Sequence, residues 1–141
     1  MTNLPTKLPT KPFVLNKDML TMGGAFYPTG YAFILFPSEA DAQQAAQQLA
    51  GTSNDMMLLT PQEILQKVAH VDGESQLVDL PSVGTEGATV KKYAMLAKDG
   101  HHALMIAAPD AEATERIMTV VRTLPYTYAQ QYHMLAIEDL E

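Results

Sequence analysis

Tyr31-Ala32-Phe33-Ile34-Leu35-Phe36, set between Gly30 and Pro37, decides the fold of this 141-residue chain. Six apolar residues, aromatic and branched, between two breakers are too few for a free-standing helix and read as a buried strand. Successive side chains of a strand point to opposite faces, so Tyr31, Phe33 and Leu35 face one way and Ala32, Ile34 and Phe36 the other. A sheet wetted on one side alternates apolar with polar residues. This one does not, and neither does the strand expected at 102–107, where Leu104 and Ile106 oppose Ala103 and Met105. Both faces of the sheet must therefore be covered.

Working outward, Ser38 with Asp41 three residues on supplies the acceptor and the acids of a helix start. That helix runs to about Ala50 and stops at Gly51, with Ala42, Ala45, Ala46 and Leu49 on one side and Gln43, Gln44, Gln47 and Gln48 on the other. Met56 to Leu59 is a second strand. Thr60-Pro61-Gln62-Glu63 has the form of a capping box with proline in the first turn, and Ile64, Leu65 and Val68 stripe the helix it opens. Asp72-Gly73 ends that helix, and His70 near its C-terminus suits the dipole there. The acidic connection 72–87 is either a functional loop or hides a short strand at 77–80. Residues 88–98 form a helix bearing Val90, Tyr93, Ala94 and Ala97, stopped at Gly100. A helix over 110–124, with Ile117, Val120, Val121 and Leu124 inward and Glu112 facing Arg116, ends at Pro125. The run 126–137 is a last long strand.

This order predicts an α+β domain, a ferredoxin-like two-layer sandwich with a four-stranded sheet and helices on one face. The alternative is a small three-layer, mostly parallel α/β domain, because helices separate all the strands. Helices on one face leave the second to a partner subunit, the N-terminal arm or a bound ligand, and a symmetric homodimer is the commonest of these solutions. The expected organisation is an extended proline-rich arm over 1–29 and a single α+β domain over 30–141. The arm repeats Leu-Pro-Thr-Lys at 4–7 and 8–11, and proline at that spacing denies helix. Pro9 to Pro12 has the spacing of a PxxP ligand, but a mobile or packing arm explains it as well.

Composition excludes more than it names. No cysteine means no disulfide frame, no thiolate metal site and no cysteine nucleophile. No apolar run approaches the roughly 18 residues of a spanning helix, and the first residues lack a secretory core, so a cytoplasmic protein is expected, away from membranes. Nine basic residues face 16 acidic ones, a formal net charge of −7. Lys7, Lys11 and Lys17 against Asp18 make residues 1–29 net positive, so the body of the chain is strongly acidic. Such a surface repels phosphate backbones, and nucleic acid is not an expected partner.

The second half, with Tyr93 in a helix, the stop at Gly100, the small apolar strand 103–108, the amphipathic helix and the closing strand, resembles the heat-induced, general-stress-protein type of bacterial domain. The likeness covers 85–137 and, more loosely, 31–50. It implies a ferredoxin-like domain with a stress-linked or regulatory role, and brings no catalytic residues with it.

For a ligand or dimer interface the candidates are Tyr31, Phe33, His102, Tyr126, Tyr128, Tyr132 and His133. The last strand places Tyr126, Tyr128, Tyr132 and Met134 on one side, an aromatic row without the flanking basic residues that RNA stacking needs. His101, His102 and His133 raise metal or acid–base chemistry. However, neighbours in a strand face opposite ways, no HExxH is present, and no carboxylate stands at ligand spacing. No metal or cofactor is expected. The nine methionines read as packing, and Ser82 near Asp79 has no histidine close in sequence. The expected function is a non-catalytic, homodimeric binding or regulatory module, its partner a second copy, a small apolar ligand or another protein. The alternative is a small dimeric α+β enzyme whose apolar pocket holds His102 or His133 as proton carrier.

Overall fold

Tyr31–Phe36 forms β1, the centre of the sheet, because both of its faces and both of its edges find partners. In the computed structural model, which describes residues 10–21, 24–51, 55–69, 85–134 and 136–141, β1 pairs antiparallel with β3 (His102–Ala107) and β4 (Tyr128–Tyr132). Tyr31 stands opposite Ala107, Phe36 opposite His102, and Ala32 opposite Gln131. β2 (Met56–Leu59) pairs with β3, and β5 (Ile137–Asp139) with β4, giving the order β2-β3-β1-β4-β5, antiparallel throughout. The leading proline repeat up to Pro9, His70, and the connection up to 84 with Asp79, Ser82 and the strand considered at 77–80 lie outside the described residues.

Two connections explain how helices can separate antiparallel strands. α1 (Glu39–Gln48) carries the chain from β1 to a parallel β2, and α4 (Ala111–Val121) carries it from β3 to a parallel β4. Each crossover skips one place in the sheet, which β3 and β1 respectively fill in the opposite direction. The mostly parallel alternative is therefore wrong: the helix-linked strands are parallel but not neighbours, and every neighbouring pair is antiparallel. Three helix starts are capped, two of them as the sequence reads. Ser38 accepts from Asp41 N, Asp110 accepts from Ala113 N at 2.8 Å, and Thr60 and Glu63 close the capping box of α2 (Pro61–Glu63). α2 runs on into a π-helical turn over Ile64–Val68, and α3 spans Thr85–Lys98.

Two expectations need correcting. The sheet has five strands, because the run 126–137 breaks into β4 and β5 where His133 N donates to Ala136 O at 2.8 Å. Neither glycine nor proline marks that turn, but Met134 within it is exposed. Helices also lie on both faces. α1 and α4 pack Ala42, Ala45, Ala46, Ile117 and Val121 on Ala32, Ile34, Phe36, Leu104 and Ile106. The π turn and α3 pack Ile64, Val68, Val90, Tyr93 and Ala97 on Phe33, Leu35, Ala103 and Met105. The apolar stripes of the π turn and α3 need a surface to bury, and the odd-numbered residues of β1 provide it.

The stretch before β1 completes this second core. Phe13, Met19 and Phe26 are buried in it. Lys11 N donates to Met56 O at 2.9 Å, and Lys11 bridges parallel to Met57 along the free edge of β2. Each buried ring contributes on the order of 2 kcal/mol. Among the described residues no helix is long and apolar enough to cross a membrane.

Candidate functional site

The sequence candidates separate into four places. Phe33 and Tyr132 are fully buried, and Tyr31 and Tyr128 are half-buried on the same face. The Phe33 ring lies 4.4 Å from that of Tyr93 and 5.5 Å from that of Phe26, and Tyr27 meets Tyr132 edge-on at 4.9 Å. This row is filled by its own chain and leaves no flat apolar face. Tyr126, just ahead of β4, packs against the opposite core instead. His102 begins β3 beside Phe36, whereas His133 follows β4 near the Tyr31 end. At the rise of an extended chain, that is roughly 16 Å apart along the sheet, so the two histidines do not form one site.

Polar groups inside the aromatic core are satisfied within it. The Tyr93 and Tyr132 hydroxyls are 2.7 Å apart, and Tyr93 donates to Gln130 Oε1 at 3.3 Å. Burial, then the neighbouring Tyr132, pushes the Tyr93 phenol well above its ordinary range. The Gln130 amide donates to Asp139, and the Lys92 ammonium stands 4.4 Å over the Tyr128 ring. His101, buried, bridges Leu96 O at 3.0 Å and Thr127 Oγ1 at 2.9 Å, tying the end of α3 to the entrance of β4. At the start of β1, Tyr31 donates to Asp55, which also pairs with Lys11. Burial, then Asp55, pushes the Tyr31 phenol up to about 12. The Lys11 and Tyr31 hydrogen bonds hold the Asp55 carboxyl below its usual value.

A groove of about 550 Å³ lies elsewhere, between α4 and the β4–β5 hairpin. Its edge is the turn Thr29-Gly30. Gly30 sits there at φ +85, a conformation that favours glycine, and ties β1's entrance to both neighbours by donating to Tyr132 O and accepting from Ala108 N. Ala108, Met118, Tyr132 and Leu140 give the groove an apolar floor. Gln131, only 2% exposed, is its deep polar group: it accepts from the Thr114 hydroxyl at 3.0 Å and donates to Ala108 O at 3.1 Å. Arg122 forks onto Glu115 at 2.8 and 3.4 Å and donates from Nε to Glu141 O at 3.0 Å. This pairing lowers the Glu115 carboxyl and raises the Arg122 guanidinium. On the rim, His133 Nε2 lies 2.9 Å from Glu138 Oε1.

Of the seven candidates, Tyr132 and His133 line this groove, while Gln131, Thr114, Arg122 and Glu138 were missed. A signal existed for Gln131: amides between two strand tyrosines, in Tyr128-Ala-Gln-Gln-Tyr132, belong to a strand too apolar to leave them in water. Glu115 and Arg122, two helical turns apart, were legible too. A second cavity of about 520 Å³ holds His102 with Lys11, Glu39, Gln43 and Thr60 beside the β2 edge. Among the described residues, no three His, Asp or Glu side chains are grouped to hold a metal ion. No protein family, curated protein or solved structure matches the chain.

Proposed function

We propose that this chain is a non-catalytic binding module on a ferredoxin-like frame, and that its ligand site is the groove between α4 and the β4–β5 hairpin. The frame reading is supported by the antiparallel order β2-β3-β1-β4, built from two crossovers that each skip a strand. β5 and the helical segment between β2 and β3 are additions to it. The observation that carries the site is Gln131, a buried amide held between Thr114 and Ala108 O at the bottom of a concavity with apolar walls. A few fixed polar groups in a largely apolar cleft are how small-molecule sites orient their ligands. A stress-linked or regulatory role belongs to this same reading, in which occupancy of the groove is the signal. A second copy is not needed to dry the aromatic face, since the π turn, α3 and Phe13, Met19 and Phe26 already do so.

The test is a fragment screen followed by amide shifts in the labelled full-length chain. Saturable shifts clustered at Thr114, Gln131 and Glu138 are expected. A screen in which every hit maps to the His102 cavity would overturn the site. A second reading, an enzyme, is favoured by the His133–Glu138 pair on the rim, the arrangement that orients a general base. Both side chains are more than half exposed, at 52% and 58%, which weakens that reading. It predicts turnover of some groove ligand that His133→Ala abolishes while binding persists.

A further inference from the structure

We infer that the outer edge of β2 is an interface for a second copy of this chain, closed in this structure by the strap Thr10-Lys11-Pro12 and paired two-fold and antiparallel once the strap is lifted. This surface is independent of the groove between α4 and the β4–β5 hairpin.

Among the described residues, the order β2-β3-β1-β4-β5 has two outer edges. A free row of N–H and C=O groups is a template for another strand, and folded proteins blunt such edges with short strands, charges and proline. β5 blunts its own edge, having three residues of which Glu138 and Asp139 are exposed acids. β2 cannot, because Met56-Met57-Leu58-Leu59 holds neither a charge nor a proline. Its protection comes from the chain ahead of the sheet. Lys11 N donates to Met56 O at 2.9 Å, Lys11 bridges parallel to Met57, and its ammonium pairs with Asp55, which also accepts from Tyr31. Phe13, 3% exposed, anchors the strap in the aromatic core. A lysine followed by a proline is the chemistry that discourages strand addition.

The cover is partial. Ala107 N donates to Asp55 O at 2.9 Å, and bonded and non-bonded pairs alternate along an antiparallel ladder. In the register of β2 on β3, Met57 and Leu59 therefore turn their backbone groups to β3, and Met56 and Leu58 turn theirs outward. The Met56 carbonyl meets Lys11. Beyond it Pro12 brings no N–H, and a cavity of about 520 Å³ opens beside Leu58, Leu59 and Thr60 against α1. Leu58 thus points one donor and one acceptor out of the same edge. Placed opposite Leu58 of the partner subunit, it exchanges both hydrogen bonds, which is the self-complementarity that a closed two-fold contact requires. Charge allows the pairing. A chain of net charge −7 repels its own copies, and this edge strand carries no charge. In that register Asp55 stands opposite Pro61 of the partner subunit, so the two Asp55 carboxylates lie roughly 20 Å apart along the strands, beyond the range of their repulsion at physiological salt.

Two variants lift the strap. Lys11→Pro removes both the N–H given to Met56 and the ammonium given to Asp55, and deletion of residues 1–12 removes the strap outright while keeping Phe13. Sedimentation equilibrium on wild type and both variants, at about 20 to 500 µM, covers the affinities of a small edge contact. In both variants the weight-average mass is expected to climb with concentration toward twice the wild-type value, with a Kd on the order of 100 µM. Over the same range the Leu58 N–H should exchange more slowly as concentration rises. Leu58→Pro added to the deletion takes away the outward donor without touching the ladder to β3, and is expected to restore the wild-type mass. The Leu58 exchange rate in the deletion variant itself decides the matter if the proline variant fails to fold. Wild-type mass in both strap variants at the highest concentration overturns the inference. So does doubling while the Leu58 N–H stays unprotected, which would place the contact on another face. Growth past the dimer without limit overturns the two-fold pairing.

Discussion

One sheet is dried in two different ways. Beneath α1 and α4 the cover is made of small residues: Ala42, Ala45 and Ala46 bring a helix close to Ile34, Phe36, Leu104 and Ile106, and the buried Gln131 amide on that side is partnered by Thr114 and Ala108 O. Beneath Phe13, Met19, Phe26, the π turn and α3, the cover is aromatic. Phe26, Phe33, Tyr93 and Tyr132 form a chain of rings with centroids 4.4 to 6.1 Å apart. Close approach of backbone to sheet excludes water by contact alone. Large rings reach across a wider gap, but tyrosines bring hydroxyls that must be partnered, which is why the Tyr93–Tyr132–Gln130 cluster exists on one side only.

The largest break in that comparison should come from neighbouring residues of β1. Phe33→Ala removes a ring from the aromatic chain and is expected to cost about 4 kcal/mol, against about 3 kcal/mol for Ile34→Ala on the alanine side. Urea unfolding measures both, and an equal or reversed order would mean that the ring chain adds nothing beyond burial. Tyr132→Phe keeps the ring and deletes one hydroxyl. It should cost about 1 to 2 kcal/mol, because the buried Tyr93 hydroxyl loses its shorter partner. No loss would show that Gln130 alone satisfies it.

A pH series sharpens the same contrast at the edge of the aromatic side. Tyr31 has a folded value of about 12 against an ordinary 10.0, so its contribution is fully present below pH 10 and lost as pH rises from there through the folded value. Asp55 works in the other direction: its depressed carboxyl contributes above the ordinary value of 3.8 and is lost as pH falls below it. Tyr31→Phe should flatten the alkaline decline seen by thermal melting and leave the acid side dependent on Lys11 and Asp55. An unchanged alkaline limb would place the titration elsewhere. The smallest effect is expected from Glu138→Gln, within about 0.5 kcal/mol of wild type in stability, because its histidine pair is exposed. A larger loss would make the groove rim part of the fold's support.

Legibility in the sequence followed burial. The apolar run at β1, the repeated parity at β3, the caps Ser38 and Thr60, and the breaks at Gly51 and Gly100 are local signals, and the elements formed where they pointed. The β4–β5 turn carried no breaker and was missed, because backbone bonding between His133 and Ala136 made it, not side-chain chemistry. The groove was only half visible. Its histidine and tyrosine stood out as residue types, but Thr114, Arg122, Gln131 and Glu138 are ordinary until α4 and the hairpin bring them to one hollow.

Alone, the sequence determined that the sheet had to be covered on both faces, since the lack of apolar–polar alternation along β1 and β3 is a property of each strand by itself. Which segments cover it was decided in three dimensions. A stripe on a helix says only that it must be buried, and whether the π turn, α3, Phe13, Met19 and Phe26 or a second chain would do the burying depended on where the crossovers set them down. The same holds for the groove: charge and hydrogen-bonding capacity belong to residues, but their convergence belongs to the fold.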